Sequence, residues 1–459
     1  MSAGAAASVP AGPWCAADRA RTAARHGAPL LPALATVLLL CAPADAARVT
    51  PLGTVTPADA ASAVLVAVCG LRLLRHRPRP LGRTAALVLG APVAALALAT
   101  VTSADPAASL PGLVRHLQVF VLVPAALLLT LRDARDFRVL AGALVLLALV
   151  QGAIGVHQYL TATGASYRGR EVRAVGTFGP LDVMGMATAV GYGLIAALAL
   201  GLAPGPRAPR WQRPAALVCA AVLTVPLAVS FSRGAWLATA AAGAAVLLTA
   251  GARVAVPALA VLTAAAVVLA GGAGAGSDLL GERVASIGAV SDAPDRSVTD
   301  RYALWAAAAG IWRDHPLTGA GLKQFPAERD GHASLGLSSG GDTAGAGVAF
   351  RREPLLSPHN VYLLALAEQG LIGATALVGG WAVLLVCGVR RLRAARRARR
   401  ATDCGLAATG LLVWQAVDFL SADIGGPSTV LTAVALGLVG RWALAPGRWP
   451  VPGGGTAAW

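Results

Sequence analysis

Long apolar runs, each closed by a short polar break, fill this chain from about residue 29 to residue 445. A helix needs about 20 mostly apolar residues to cross roughly 30 Å of hydrocarbon. Twelve runs approach that length, near residues 29–43, 58–74, 84–101, 112–131, 138–157, 181–203, 214–231, 235–251, 254–272, 361–388, 404–421 and 427–445. In lipid every backbone N–H and C=O must be satisfied within its own span or in a closed barrel, so runs of this length predict helices. The pattern predicts an all-α integral membrane protein of about 12 transmembrane helices. One break is different. Residues 273–358, between helices 9 and 10, hold ten of the chain's 22 acidic residues and could build a sizeable water-facing structure. The chain divides accordingly into an N-terminal segment (1–28), spans 1–9 (29–272), the polar loop (273–358), spans 10–12 (359–445) and a tail (446–459). Inside the loop, Ala303, Leu304, Ala307, Ala308 and Ile311 recur at helical spacing, predicting an amphipathic helix over 299–313 that lies on the outer membrane surface.

Composition agrees with this pattern. Hydrophobic residues make up 56% and charged residues 13%, against about 25% charged in an ordinary soluble domain. Mean hydropathy is +0.66. The formal charge of +16 would raise nucleic-acid binding in a soluble chain. Here the basic residues punctuate the apolar runs, and their side sets orientation, because cytoplasmic loops keep an excess of Lys and Arg. With the N-terminus inside, 24 of 38 basic residues fall in or beside cytoplasmic segments, seven of them in 390–400; 13 fall outside, and Arg115 lies within a span. Both termini are therefore expected in the cytoplasm, with the 273–358 loop outside. The densest basic run is explained by orientation, and no P-loop or strand-borne G-x-G-x-x-G is present, so nucleic-acid and nucleotide chemistry are not supported. Leu30–Ala42 followed by Ala44-Asp45-Ala46 has the look of a cleavable signal, but Pro32 and the long segment before it favour a retained span. The six cysteines are scattered with no C-x-x-C pair, so neither a zinc site nor a disulfide framework is read here.

Three extracytoplasmic stretches carry more character than lipid packing needs. Ser232-Arg233-Gly234-Ala235-Trp236 is a tight reversal between two apolar helices. An interfacial anchor is the plain reading of Arg233, although Trp or Tyr more commonly fills that role. A guanidinium at the membrane edge also suits a phosphate in the head-group plane. Arg301 stands near the start of the 299–313 helix, where a cation is disfavoured by the macrodipole unless an anion binds there; pairing with Asp295 or Asp300 is the alternative. Ser357-Pro358-His359-Asn360-Val361-Tyr362 leads into span 10, placing His359 at the membrane face at the start of that helix. A lone histidine is more often structural than catalytic, but imidazole is the side chain suited to proton transfer near neutral pH.

Taken in order, Ser-Arg-Gly-Ala-Trp at 232–236, Arg-x-x-x-Trp at 301–305, Gly-x-Gly at 319–321 and His-Asn-x-Tyr-Leu with Ala-Glu-x-Gly at 359–370 resemble the O-antigen ligase and polymerase superfamily. The resemblance covers about 176–390, with Arg173-Ala174-Val175-Gly176-Thr177-Phe178 just upstream. Family members often follow that turn with Pro-Asn, whereas Pro180-Leu181-Asp182 stands here. The resemblance implies a multi-pass glycosyltransferase of the plasma membrane, using no metal or other cofactor. It implies a donor saccharide on undecaprenyl diphosphate and an inverting transfer to a hydroxyl of a glycan, lipid or protein acceptor on the extracytoplasmic face. By match to the motifs, Arg233 and Arg301 would hold the diphosphate and His359 would deprotonate or orient the acceptor. Arg173, Asn360, Tyr362, Glu368 and Lys323 are candidate substrate-binding residues. For Glu368 a hydrogen-bonding role within the bundle competes, and for Arg313, Lys323, Arg351 and Arg352 a solvated loop charge does.

The non-enzyme alternative is a polytopic transporter or flippase for a lipid-linked or polysaccharide substrate. Carriers tend to place ionisable groups at mid-membrane beside broken helices. Arg115, His116 and Asp418 lie within or near spans but form no evident central array, and no internal repeat is visible.

Overall fold

The computed structural model describes residues 28–43, 46–50, 53–76, 81–167, 170–205, 208–251, 256, 296–333 and 357–445. The expected ninth span, both terminal segments, the signal-like Ala44-Asp45 and the greater part of the 273–358 loop, with Arg351 and Arg352, lie outside the described residues.

The described chain is helical apart from two short antiparallel hairpins. In order it runs through α1 (Leu31–Leu38), β1 (Arg48–Thr50), β2 (Gly53–Val55), α2 (Pro57–His76), α3 (Arg83–Val101), α4 (Pro106–Leu117), α5 (Val123–Thr130), α6 (Ala134–Thr161), β3 (Ala165–Tyr167), β4 (Arg170–Arg173), α7 (Gly185–Leu202), α8 (Gln212–Val222), α9 (Thr224–Ala228) and α10 (Arg233–Ala250). Beyond the undescribed stretch come α11 (Arg296–Asp314), α12 (Phe325–His332), α13 (Val361–Arg397), α14 (Asp403–Asp418) and α15 (Thr429–Leu444). A π-helical turn, Gln118–Leu122, joins α4 to α5 ahead of Pro124, whose missing N–H makes that loosened turn a natural accommodation. Among the described residues, seven helical stretches are long and apolar enough to cross a membrane, and Leu31–Cys41, Gln212–Ala228 and Thr429–Leu444 are apolar but shorter.

Small residues set the packing. Helix α7 is the centre of the bundle, with every residue except Thr188 buried. A Cβ on Gly193 would stand 2.1 Å from the Cβ of Ala148, and one on Gly191 would stand 2.5 Å from the Trp414 indole nitrogen. Close approach through Gly and Ala is what packs helices when lipid supplies no hydrophobic drive between them.

Charged contacts gather at the two ends of the bundle. At the end expected to be cytoplasmic, Arg138 Nε lies 2.5 Å from Asp403, Arg132 pairs with Asp136 at 3.2 Å, and Arg391 donates to the carbonyls of Trp442 and Ala445. Arg396 and Arg441 donate to the carbonyls of Thr249 and Arg132. Those arginines therefore satisfy helix C-terminal carbonyls as well as orienting the chain. The opposite end carries the three motif stretches.

Two expectations for that end change. Helix α11 begins at Arg296, so Arg301 stands more than a turn inside it and not at its N-terminus; the macrodipole argument for a bound anion at Arg301 falls away. The apolar stripe of α11 is also used differently. Leu304, Ala308 and Ile311 are buried with Ala320, Phe325, Leu364 and Ala367, so α11 rests on α12 and the first turns of α13 and not on lipid through that face.

Candidate functional site

Each motif is fixed by hydrogen bonds from a distant part of the chain. The reversal before α10 begins at Ser230, whose hydroxyl donates to Leu227 O at 2.6 Å, and passes through Phe231, fully buried with φ 52°. Ser232 then caps α10, accepting from Ala235 N at 3.2 Å, which makes Arg233 the first helical residue. Arg173 fastens this reversal from outside it. Its Nε donates to Ser230 O at 3.1 Å, and the adjoining Ala174 N–H donates to Val229 O. The Gly-Thr-Phe turn after Arg173 hangs in turn on two glutamines of α6. Gln158 Oε1 accepts from Val175 N and Gly176 N, while Gln151 Oε1 accepts from Thr177 N at 2.9 Å. Gly176 has φ +63°, and a Cβ there would stand 2.2 Å from Gln151 Oε1, which explains the glycine.

The Gly-x-Gly and Ala-Glu-x-Gly motifs dock on one another, backbone to backbone. Ala320 N donates to Ala367 O and Gly321 N to Glu368 O; Leu371 N and Ile372 N return bonds to Pro316 O and Leu317 O. Those pairings interrupt α13 at Gly370 (φ 64°, ψ −167°), where a Cβ would meet Leu317 backbone at 2.3 Å. The Glu368 side chain, 2% exposed, accepts from Phe325 N and faces the Lys323 backbone N–H, holding the start of α12. Its carboxylate is thus occupied by the fold. Lys323 itself sits at φ 64° and is exposed.

His359, expected at the start of the helix, lies two residues before α13 with φ 50°. The cap is Asn360, which accepts from Tyr362 N and Leu363 N at 3.0 and 3.1 Å and donates to Leu420 O at 3.2 Å. Tyr362 donates its hydroxyl to Ala416 O at 2.6 Å. With those neighbours locked to α14 and its exit loop, His359 is held at a left-handed backbone position with its imidazole 42% exposed. Its Nδ1 contacts Asp423 Oδ2, and Ser357 donates to the other carboxylate oxygen of Asp423. Asp423 lies in the connection between α14 and α15 and was not singled out from sequence. Its only legible signal was place, a carboxylate in an expected outside loop, and pairing with a residue 64 positions earlier leaves no local trace.

The α14–α15 connection meets two of the motifs directly, and the third contacts the His359 loop. A Cβ on Gly234, next to Arg233, would stand 2.3 Å from Ser421 Oγ, so the α10 start abuts the segment that holds Asp423. Trp305 donates to Pro358 O at 2.9 Å, bringing α11 onto the His359 loop, and Arg301 lies four residues before Trp305 on the same helix face. Arg233 and Arg301 are each half-buried. Of the sequence-derived candidates, His359, Arg233 and Arg301 therefore come to one loop cluster. Asn360 and Tyr362 follow His359 directly and Arg173 braces the reversal before Arg233, whereas Glu368 and Lys323 lie where the start of α12 meets α13.

A histidine with one ring nitrogen on a carboxylate is a general-base arrangement. With Nδ1–H donating to a carboxylate, the other ring nitrogen of an imidazole is able to accept a proton. Among the described residues no cluster of three or more His, Cys, Asp or Glu is disposed to hold a metal ion. No curated protein matches the chain. Residues 215–378 match the family described as O-antigen ligase, a stretch that includes the motifs at 232–236, 301–305, 319–321 and 359–370 and leaves out Arg173 and Asp423. Over that stretch, about a third of the chain, the protein is similar to the O-antigen ligase family.

Proposed function

We propose that the protein is a glycan ligase or polymerase of about twelve spans. It transfers a saccharide from undecaprenyl diphosphate to an acceptor hydroxyl on the extracytoplasmic face, with inversion and without a metal. The observation that carries this is the contact of Asp423 with His359, a histidine that lies with Arg233 and Arg301 in the family-matched stretch. Asp423 keeps the imidazole oriented with Nε2 toward the acceptor. Nε2 takes the hydroxyl proton as the oxygen attacks the anomeric carbon from the face opposite the diphosphate. The glycosidic C–O bond to the diphosphate breaks, and the electron pair leaves with the lipid diphosphate. Arg233 and Arg301 stabilise the charge that develops there, and holding donor and acceptor at one loop cluster supplies proximity. Lys323 contacts glycan or phosphate, whereas Arg173, Asn360, Tyr362 and Glu368 shape the site. The distribution of arginines among the loops supports a site on the extracytoplasmic face, with both termini inside.

The test is glycan-chain analysis of cells carrying His359→Ala, Arg233→Ala or Arg301→Ala at normal protein levels. Loss of glycan attachment or extension is expected in each. Accumulated short lipid-linked units mark a polymerase and accumulated long ones a ligase. Wild-type glycan length and attachment in all three would overturn the assignment.

A further inference from the structure

Arg115 is a cation within an apolar helix that the chemistry above does not use. Its side chain is 20% exposed, and its Nη1 lies 2.5 Å from Asp59 Oδ1 and 2.9 Å from Gln118 Oε1. Asp59 is well held in its own right, accepting from Thr56 N, Thr56 Oγ1 and Gln118 Nε2. A buried ion pair of this kind accounts for Nη1, since leaving either partner alone in the bundle is costly. Nη2 has a different target. It donates to the carbonyl of Gly426 at 3.0 Å, across 311 residues of sequence.

Gly426 follows Asp423 by three residues in the same connection. The turn is gripped from its other side as well. Ser428 N donates to Asp182 Oδ2 at 2.8 Å, and Asp182 Oδ2 stands 2.7 Å from the place a Cβ on Gly426 would take. Gly426 adopts φ +75°, so only a glycine fits between the two. The segment Asp423-Ile424-Gly425-Gly426 contains two adjacent glycines, the most permissive backbone available. Ser357 holds the Asp423 end of the segment, and the glycine end is held locally by Thr429, which donates to the Gly425 and Gly426 carbonyls. Arg115, anchored by Asp59, adds the tie from a separate helix.

We infer that Arg115 is a positioning residue for the transfer, holding through the Gly426 carbonyl the loop that sets Asp423 against His359. This rests on the reading of His359 and Asp423 as the acceptor-activating pair. It adds a role for a residue on α4, outside the O-antigen ligase match and far from every motif in sequence.

The decisive variant is Arg115→Lys, because one ammonium keeps the ion pair with Asp59 but lacks the fork that also reaches Gly426. Transfer is followed in membrane vesicles from cells making the native glycan, supplied with lipid-linked donor extracted from the same cells, and rates are taken per mole of folded protein. The maximal rate is expected to fall roughly 10- to 100-fold with the apparent KM for donor unchanged. The double variant Arg115→Lys/Asp423→Asn is expected to be no slower than Asp423→Asn alone, because both losses act through one pair. A wild-type maximal rate in Arg115→Lys, a rise in KM alone, or losses that multiply in the double variant would each overturn the inference. Wild-type rates in His359→Ala and Asp423→Asn would instead overturn the transfer reading, so the two failures are distinct.

Discussion

At the scale of single residues, the site depends on side chains that do opposite things with similar chemistry. Asp423 is partly exposed and faces an imidazole, whereas Glu368 is enclosed and holds backbone N–H groups. Asp423→Asn should therefore lower transfer by about 100-fold or more, the scale of a general-base contribution, while leaving donor retention on the protein intact. Rate measurement beside a donor-binding assay checks both halves. Glu368→Gln keeps an acceptor oxygen and should retain most activity per folded molecule. Glu368→Ala strands the N–H groups at the start of α12 and should cost about 1–3 kcal/mol for each. Thermal unfolding in detergent reads that difference, and a stable but inactive Glu368→Gln would return the residue to substrate binding. Sequence carried the chemistry of Glu368 but not its commitment, because the N–H groups it serves lie 43 and 45 residues upstream.

At the scale of elements, the motifs are mostly instructions for docking. Gly319 and Gly370 let two backbones meet where Cβ atoms would collide, and Gly321 makes room for the Ser103 side chain. Gly370→Ala should lose about 1–3 kcal/mol from backbone conformation alone, since φ 64° with ψ −167° is a region open essentially to glycine. The clash with Leu317 adds to that. A lowered melting temperature together with protease sensitivity in the 296–333 layer is the expected result; an unchanged melting temperature would show that the docking does not hold that layer. Helix α11 teaches the converse lesson. Its periodicity was legible, and the expected 299–313 became Arg296–Asp314. Its partner was not legible, because an apolar stripe fits lipid and a neighbouring helix equally well, and only the pairing of 316–321 with α13 selects the helix.

For the whole molecule, charge divides by end. The arginines that orient the chain also bond helix-end carbonyls and Asp403, while the opposite end gathers His359, Asp423, Arg233 and Arg301. In a cysteine-free background, Leu317→Cys should react with a membrane-impermeant maleimide on intact cells, and Arg397→Cys only after permeabilisation. Both positions are exposed. Labelling in the reverse order would invert the topology and remove the site from the side where the donor is expected.

By itself the sequence determined the helical membrane class, the sidedness expected from its arginines and the residue types able to do the chemistry. Each of these follows from short-range composition and spacing, which a single chain displays. The tertiary structure alone decided which groups meet. Asp423 with His359, Arg173 with Ser230 and Arg115 with Gly426 join residues separated by 64, 57 and 311 positions. Contacts of that range depend on how the bundle closes, and no local pattern records them.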